Sequence, residues 1–299
     1  MNGPGATVPA IAVNGVSKVF GRGRPGAVEA LSDIDLTVAR GAFVSLIGPS
    51  GCGKSTLLRL VAALTQPTAG TISVLGAPAD QARRDRQYGM AFQQAGLFDW
   101  RTVARNVELP LDVMGWSRAE RRVRVREMLS LVRLDDFADH YPAQLSGGMQ
   151  QRVAIARALS FRPSVLLMDE PFGALDEMTR EHLQTELLRI WEETDTTVLF
   201  VTHSIPEAVF LSNRVVVLSP RPGRIAAEVP VDLGRRTEDT REDEAFFAMI
   251  TEVREALRAV ERDAAPATSA QAERPDRPSG NMLRGGSRGA VPATREGDE

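Results

Sequence analysis

FVSLIGPSGCGKSTLLRLVAAL, residues 43–64, decides how the rest of the chain is read. A short apolar run ends in glycine, a glycine-rich loop follows, and from Lys54 the apolar residues return at helical spacing. In that order of strand, loop and helix, the pattern G-x-x-x-x-G-K-[ST] becomes a phosphate cradle, and GPSGCGKS from Gly48 to Ser55 fits it. Gly48, Pro49, Ser50, Gly51, Cys52 and Gly53 let successive amides and a helix N-terminus face an anion. Lys54 is expected to reach the β and γ phosphates, Ser55 to hold Mg²⁺ through its hydroxyl, and Thr56 to reach the α phosphate. Lysine occurs only here and at Lys18 in a chain that otherwise uses arginine, which suits a compact point charge.

The same apolar strand text returns in VLLMD ending at Asp169, TVLFVTH ending at His203, and RVVVLS from Arg214. Buried parallel strands read this way, and ligands of open α/β sheets bind at their carboxyl ends. Asp169 and Glu170 therefore stand at the cradle's edge, where one carboxylate holds Mg²⁺ and the other orients or deprotonates a water. A lone histidine at a strand end is more often structural than catalytic, but beside the cradle and the acidic pair His203 is placed to contact the γ phosphate. His140 and His182 carry no such expectation.

Further out, residues 11–38 alternate apolar and polar around the turn text GRGRPG and predict two antiparallel strands. Residues 95–161 read as a mostly helical insertion, in which Ser117 and Glu120 form a capping box before a helix running to about Arg133. Arg121, Arg122, Arg124 and Arg126 are expected to form one solvated helix face. Phe246, Phe247, Ile250, Val253, Leu257 and Val260 predict one apolar face on a last helix. Residues 1–8 read as a tail, 9–264 as the ordered domain, and 265–299, rich in Pro, Gly and Ser, as disordered.

At 299 residues, 43% hydrophobic and 25% charged, the composition is that of a globular chain. No run is long and apolar enough to span a bilayer, which points to the cytoplasm. A single cysteine excludes an internal disulfide, and a net charge of -3 offers no basic footprint for nucleic acid.

LSGGMQQR, Leu145 to Arg152, is a second glycine pair opening a helix. With it the motif set resembles the ATP-binding subunits of ABC transporters. GPSGCGKS is similar to that family's Walker A loop, FQQ to its Q-loop with Gln93 as the glutamine, and LSGGMQQR to its signature. SVLLMDEP resembles Walker B with Glu170 as the catalytic residue, GALD the D-loop ending in Asp176, and VTH supplies the switch histidine, His203. The resemblance implies a P-loop NTPase core with a mostly parallel sheet, an N-terminal antiparallel β subdomain and a helical signature subdomain. Phe20 matches the position that stacks on adenine, although an ordinary strand aromatic would read the same.

It further implies that two copies sandwich ATP and Mg²⁺. Ser146, Gly147, Gly148 and Gln150 of one copy would serve the ATP held by the other, and Ser55, Gln93 and Asp169 would surround the metal. Catalysis falls to Glu170, His203 and Gln93. The expected partners are a second copy, transmembrane permease subunits and a solute-binding protein, at the cytoplasmic face of the inner membrane. WRTVARNVELPL, LSPRPGRI and a short C-terminal helix look like the nitrate/sulfonate/taurine importer group, from which Asp99 departs where proline is usual. Only VPVDL reads as strand after Arg224, so no further β-rich domain is expected.

Three other readings stand beside it: an ABC ATPase with a non-transport role, a P-loop kinase, and a non-hydrolysing subunit. The chain shows neither the long coiled coil nor the duplicated unit of the first. A kinase has no use for LSGGMQQR, and intact Glu170 and His203 argue against the third.

Overall fold

Alternation along the first strands builds a sheet with one buried face. In a computed structural model, which describes residues 8–193 and 196–264, β1 (Ile11–Phe20) pairs antiparallel with β2 (Val28–Val38), Ile11 opposite Val38 and Phe20 opposite Val28. The tails expected over 1–8 and 265–299 lie outside the described residues, Val8 apart.

β3 (Phe43–Ile47) leads through the glycine loop into α1 (Lys54–Val61). β4 (Ala69–Val74) and the two-residue β5 (Ala77–Pro78) complete the antiparallel sheet in the order β2-β1-β4-β5, and α2 (Ala79–Arg84) leads to β6 (Tyr88–Ala91). The helical insertion holds α3 (Val103–Val113), α4 (Arg118–Leu131) and α5 (Gly147–Leu159), with single turns at Asp135–Phe137 and Pro142–Gln144. Then come β7 (Val165–Asp169), α6 (Glu177–Glu193), β8 (Thr197–Val201), α7 (Ile205–Leu211), β9 (Arg214–Leu218), β10 (Ile225–Pro230) and α8 (Glu244–Ala264).

The second sheet runs β10-β9-β3-β8-β7-β6, parallel from β9 to β6 with β10 antiparallel at one edge. Three of its central strands, β3, β7 and β8, are buried at every position because each face meets a different core. Phe43, Met168, Phe200 and Val217 join the cluster shared with α3 to α8, while Val44, Leu167, Leu199 and Val216 join the one shared with α1 and the antiparallel sheet. Each such side chain stabilises the fold by roughly 1.5–3 kcal/mol. A two-sided core pins the register, since a one-residue slip would exchange every pair. The strand ends that carry Asp169 and His203 are thereby held level with the loop after β3.

Several expectations need correction. The arginines of α4 are not one solvated face: Arg121 bridges Glu108 and Asp112 of α3, and Arg124 donates to the carbonyls of Leu159 at 3.0 Å and Ser160 at 2.7 Å, leaving Arg122 and Arg126 exposed. Phe247 is 56% exposed while Phe246, Ile250, Val253 and Val260 are buried, because spacings of four, three and seven share a face and the neighbour at 247 lies about 100° round the helix. The strand after Arg224 begins at Ile225, earlier than VPVDL suggested, and pairs back on β9. The capping box is present, Glu120 N–H donating to the Ser117 hydroxyl at 3.3 Å and Ser117 N–H to the Glu120 carboxylate at 2.9 Å.

Candidate functional site

Gly53 sets the geometry of the phosphate loop. It caps α1 at φ 106°, a left-handed conformation that glycine adopts without strain, and a Cβ there would stand 2.6 Å from the Leu31 side chain of β2. The loop is thus pressed against the antiparallel sheet, and α1 starts with its amides facing outward.

Lys54 is buried at 7% exposure, and its ammonium donates to the carbonyls of Gly48 at 2.8 Å and Pro49 at 3.1 Å. A cation held by two neutral carbonyls at the mouth of an amide nest retains most of its charge for an anion. Cys52 is buried behind it, 3.9 Å away, with its thiol pKa pushed up by burial.

Asp169 closes β7 at 1% exposure and accepts the Ser55 hydroxyl at 2.7 Å. Desolvation pushes its pKa up, against the Ser55 hydrogen bond and the charges of Arg59 and Lys54. A buried carboxylate joined to a serine hydroxyl is an oxygen pair suited to a hard divalent cation, which would remove the desolvation cost. The residues present therefore fit Mg²⁺.

Glu170 is the first residue past the strand, and its φ of 47° turns the chain out of the sheet. Non-glycine residues rarely adopt that conformation, and it is held here by Glu170 N–H donating to the Val201 carbonyl of β8 at 2.9 Å. Glu170 Oε2 lies 3.2 Å from Nδ1 of His203. His203 is 69% exposed, so the pair stands at the surface.

One cleft of about 540 Å³ is lined by Phe20, Lys54, Ser55, Gln93, Glu170 and His203, together with other loop residues. Phe20 is 46% exposed, with the Lys18 ammonium 5.0 Å from its ring. Ser146, Gly147, Gly148, Gln150 and Asp176 do not line it. The Ser146 hydroxyl caps α5, accepting from Met149 N–H at 3.3 Å, and the Gln150 amide donates to the carbonyl of Pro142 at 3.0 Å. Asp176 accepts from Thr179 N–H at 2.9 Å, opening α6, and this holds its pKa down. A larger cleft, about 890 Å³ between α4 and α6, contains none of the phosphate-loop residues.

Sequence reasoning missed the supports. Gln151 donates to the Phe92 carbonyl at 2.8 Å, and Arg157 to the carbonyls of Ala95 at 2.8 Å and Gly96 at 2.9 Å, so α5 grips the segment carrying Gln93. Arg221 lines the cleft and Gly223 backs the phosphate loop, and both sit in LSPRPGRI, which had suggested only a subgroup. Nothing in residue spacing joins positions so distant in the chain.

The family described as ABC transporter matches residues 31–173. A taurine import ATP-binding protein of Rhizobium johnstonii is 45% identical over 247 residues, 82% of this chain and 94% of that one. A nitrate import ATP-binding protein of Synechocystis is 44% identical over 258 residues, 84% and 96% of the two chains. Among solved structures, the dimeric post-hydrolysis state of the ATP-binding cassette MJ0796, bound to ADP and Pi, has a TM-score of 0.69 at 37% identity, covering 74% of this chain and 99% of that one.

Proposed function

Since the chain belongs to the ABC transporter family as one of its ATP-binding subunits, we propose that two copies close around two ATP molecules and that hydrolysis powers import of a small solute through a separate permease. The observation that carries this reading is the division of the motifs. Lys54, Ser55, Gln93, Glu170 and His203 share one cleft, while Ser146, Gly147 and Gly148 lie outside it and so complete the cleft of a partner.

Lys54 and the amides of the cradle hold the β and γ phosphates, and Phe20 offers its ring to the adenine. Ser55, Asp169 and Gln93 would hold Mg²⁺, which would supply charge neutralisation for the departing phosphate. Glu170 orients the attacking water and accepts its proton, and His203, fixed by its contact with Glu170, faces the γ phosphate. The partner's signature adds amide donors and the positive end of a helix. Loss of the γ phosphate removes what the two faces hold in common, and the dimer opens.

By likeness to the taurine and nitrate import subunits, the solute is a small anion or zwitterion of that group, delivered by a solute-binding protein. Among the described residues no helix is long and apolar enough to cross a membrane, so attachment at the cytoplasmic face of the membrane falls to the permease. Glu170→Gln keeps the shape and removes the base. Gel filtration of this variant with ATP and Mg²⁺ should show a stable dimer with little hydrolysis, and a monomer under those conditions would contradict the scheme.

A further inference from the structure

Glu207, in the first turn of α7, is 11% exposed and takes no part in the chemistry above. A carboxylate that only complemented the helix dipole would do so from solvent, without the cost of burial. Its two oxygens diverge. Oε2 accepts the Thr202 hydroxyl at 2.6 Å, and that same hydroxyl accepts from Ser204 N–H at 3.0 Å, so the residues on both sides of His203 are fixed to it. Oε1 faces Arg180 Nε of α6 at 3.6 Å.

Arg180 in turn holds the loop before α6, donating to the carbonyls of Leu175 at 2.8 Å and Phe172 at 3.4 Å. That loop meets the signature helix, for a Cβ on Gly148 would stand 3.2 Å from the Ala174 carbonyl. Packed backbone and charged contacts thus run without a gap from Gly148 through residues 172–175, Arg180, Glu207 and Thr202 to His203. One end serves the partner's nucleotide and the other serves the chain's own. Burial pushes the Glu207 carboxyl upward, with the charge of Glu170, against the Thr202 hydrogen bond and the charges of Arg180 and His203.

We propose that Arg180 and Glu207 are positioning residues for hydrolysis, forming a strut that sets the His203 loop according to the position of residues 172–175 and hence of the signature. The proposal rests on the reading of the site given above. It assigns the pair an effect on turnover and none on nucleotide affinity, because neither residue lines the phosphate cleft.

Full-length variants Glu207→Gln, Arg180→Gln and the double substitution separate this from a merely structural role. A carboxamide carries no charge for Arg180, and with its one oxygen turned to Arg180 it presents NH2 to Thr202, so the Thr202 hydroxyl loses the acceptor it donates to. Glu207→Gln should lower kcat about tenfold while the Kd for ATP moves less than about twofold, and the double variant should be no slower than the slower single one. Thr202→Val, which cuts the far end of the strut without touching the ion pair, should reproduce the loss, and Thr202→Ser should restore turnover. Thermal unfolding of each variant checks that the fold is intact.

The strut is overturned if kcat stays within about twofold of the parent in both Glu207→Gln and Thr202→Val, if the losses in the double variant multiply, or if the change falls on ATP affinity alone. Lys54→Ala, run alongside, separates the two claims. Hydrolysis surviving that substitution would overturn the site itself, whereas hydrolysis abolished by it and untouched by the strut variants would overturn only the strut.

Discussion

Two glycines separate the demands of the fold from those of a partner. Gly223 has no room for a side chain, since a Cβ would stand 2.1 Å from the Cys52 carbonyl of the phosphate loop. A Cβ on Gly147 would meet nothing within 4 Å beyond its own helix, so nothing else in its own chain requires glycine there. Gly223→Ala should displace the phosphate loop, weakening ATP binding by an order of magnitude and costing about 1–3 kcal/mol of stability. Gly147→Ala should leave the melting temperature and ATP binding by the single chain unchanged while lowering hydrolysis at least tenfold, because the methyl intrudes where a second copy's phosphate must come. ATP titration, melting curves and an ATPase assay read both. Gly53, Lys54, Asp169 and His203 were legible because each sits at the end of an apolar strand or in a loop of fixed spacing. Gly223 was not, since its reason is a carbonyl 171 positions earlier in the chain, a separation no local pattern records.

Among the elements, the helical insertion does more than carry the signature. Asn106 of α3 is fully buried, and its side chain accepts from Phe98 N–H at 2.8 Å while donating to the carbonyls of Arg101 at 3.0 Å, Thr102 at 3.1 Å and Phe98 at 3.2 Å. One amide thereby shapes the 98–102 turn that follows the Gln93 segment, whose other side is gripped by Gln151 and Arg157 of α5. Asn106→Ala leaves several buried backbone groups without partners and should cost roughly 2–4 kcal/mol, seen in denaturant unfolding together with faster amide exchange over 98–102. Periodicity revealed α4, α5 and the central strands, whose patterns are long or continuous. It did not reveal β4, or β6, which is four residues with a glycine among them, and it placed β10 too late, where a register shift between Ile225 and Ala227 interrupts the alternation. It also misjudged the arginines of α4, because a helix covered by two others has a second inward face that charge spacing reads as solvent.

For the whole molecule, the decisive fact is that the cleft holding Lys54, Glu170 and His203 lacks the signature of its own chain. On the proposed function the second glycine-rich turn serves a site made by two chains, and the dimeric cassette of similar fold bound to ADP and Pi is in keeping with that proposal. A chain carrying Ser146→Arg keeps its own cleft and spoils its partner's, and one carrying Lys54→Ala does the reverse. Each alone should be inactive. The most direct test is the ATPase rate of an equal mixture of the two: half the dimers are then mixed, each with one intact composite site, so about a quarter of the parental rate should return. No recovery, with mixed dimers shown to form, would contradict the claim that each nucleotide is held and hydrolysed between two chains.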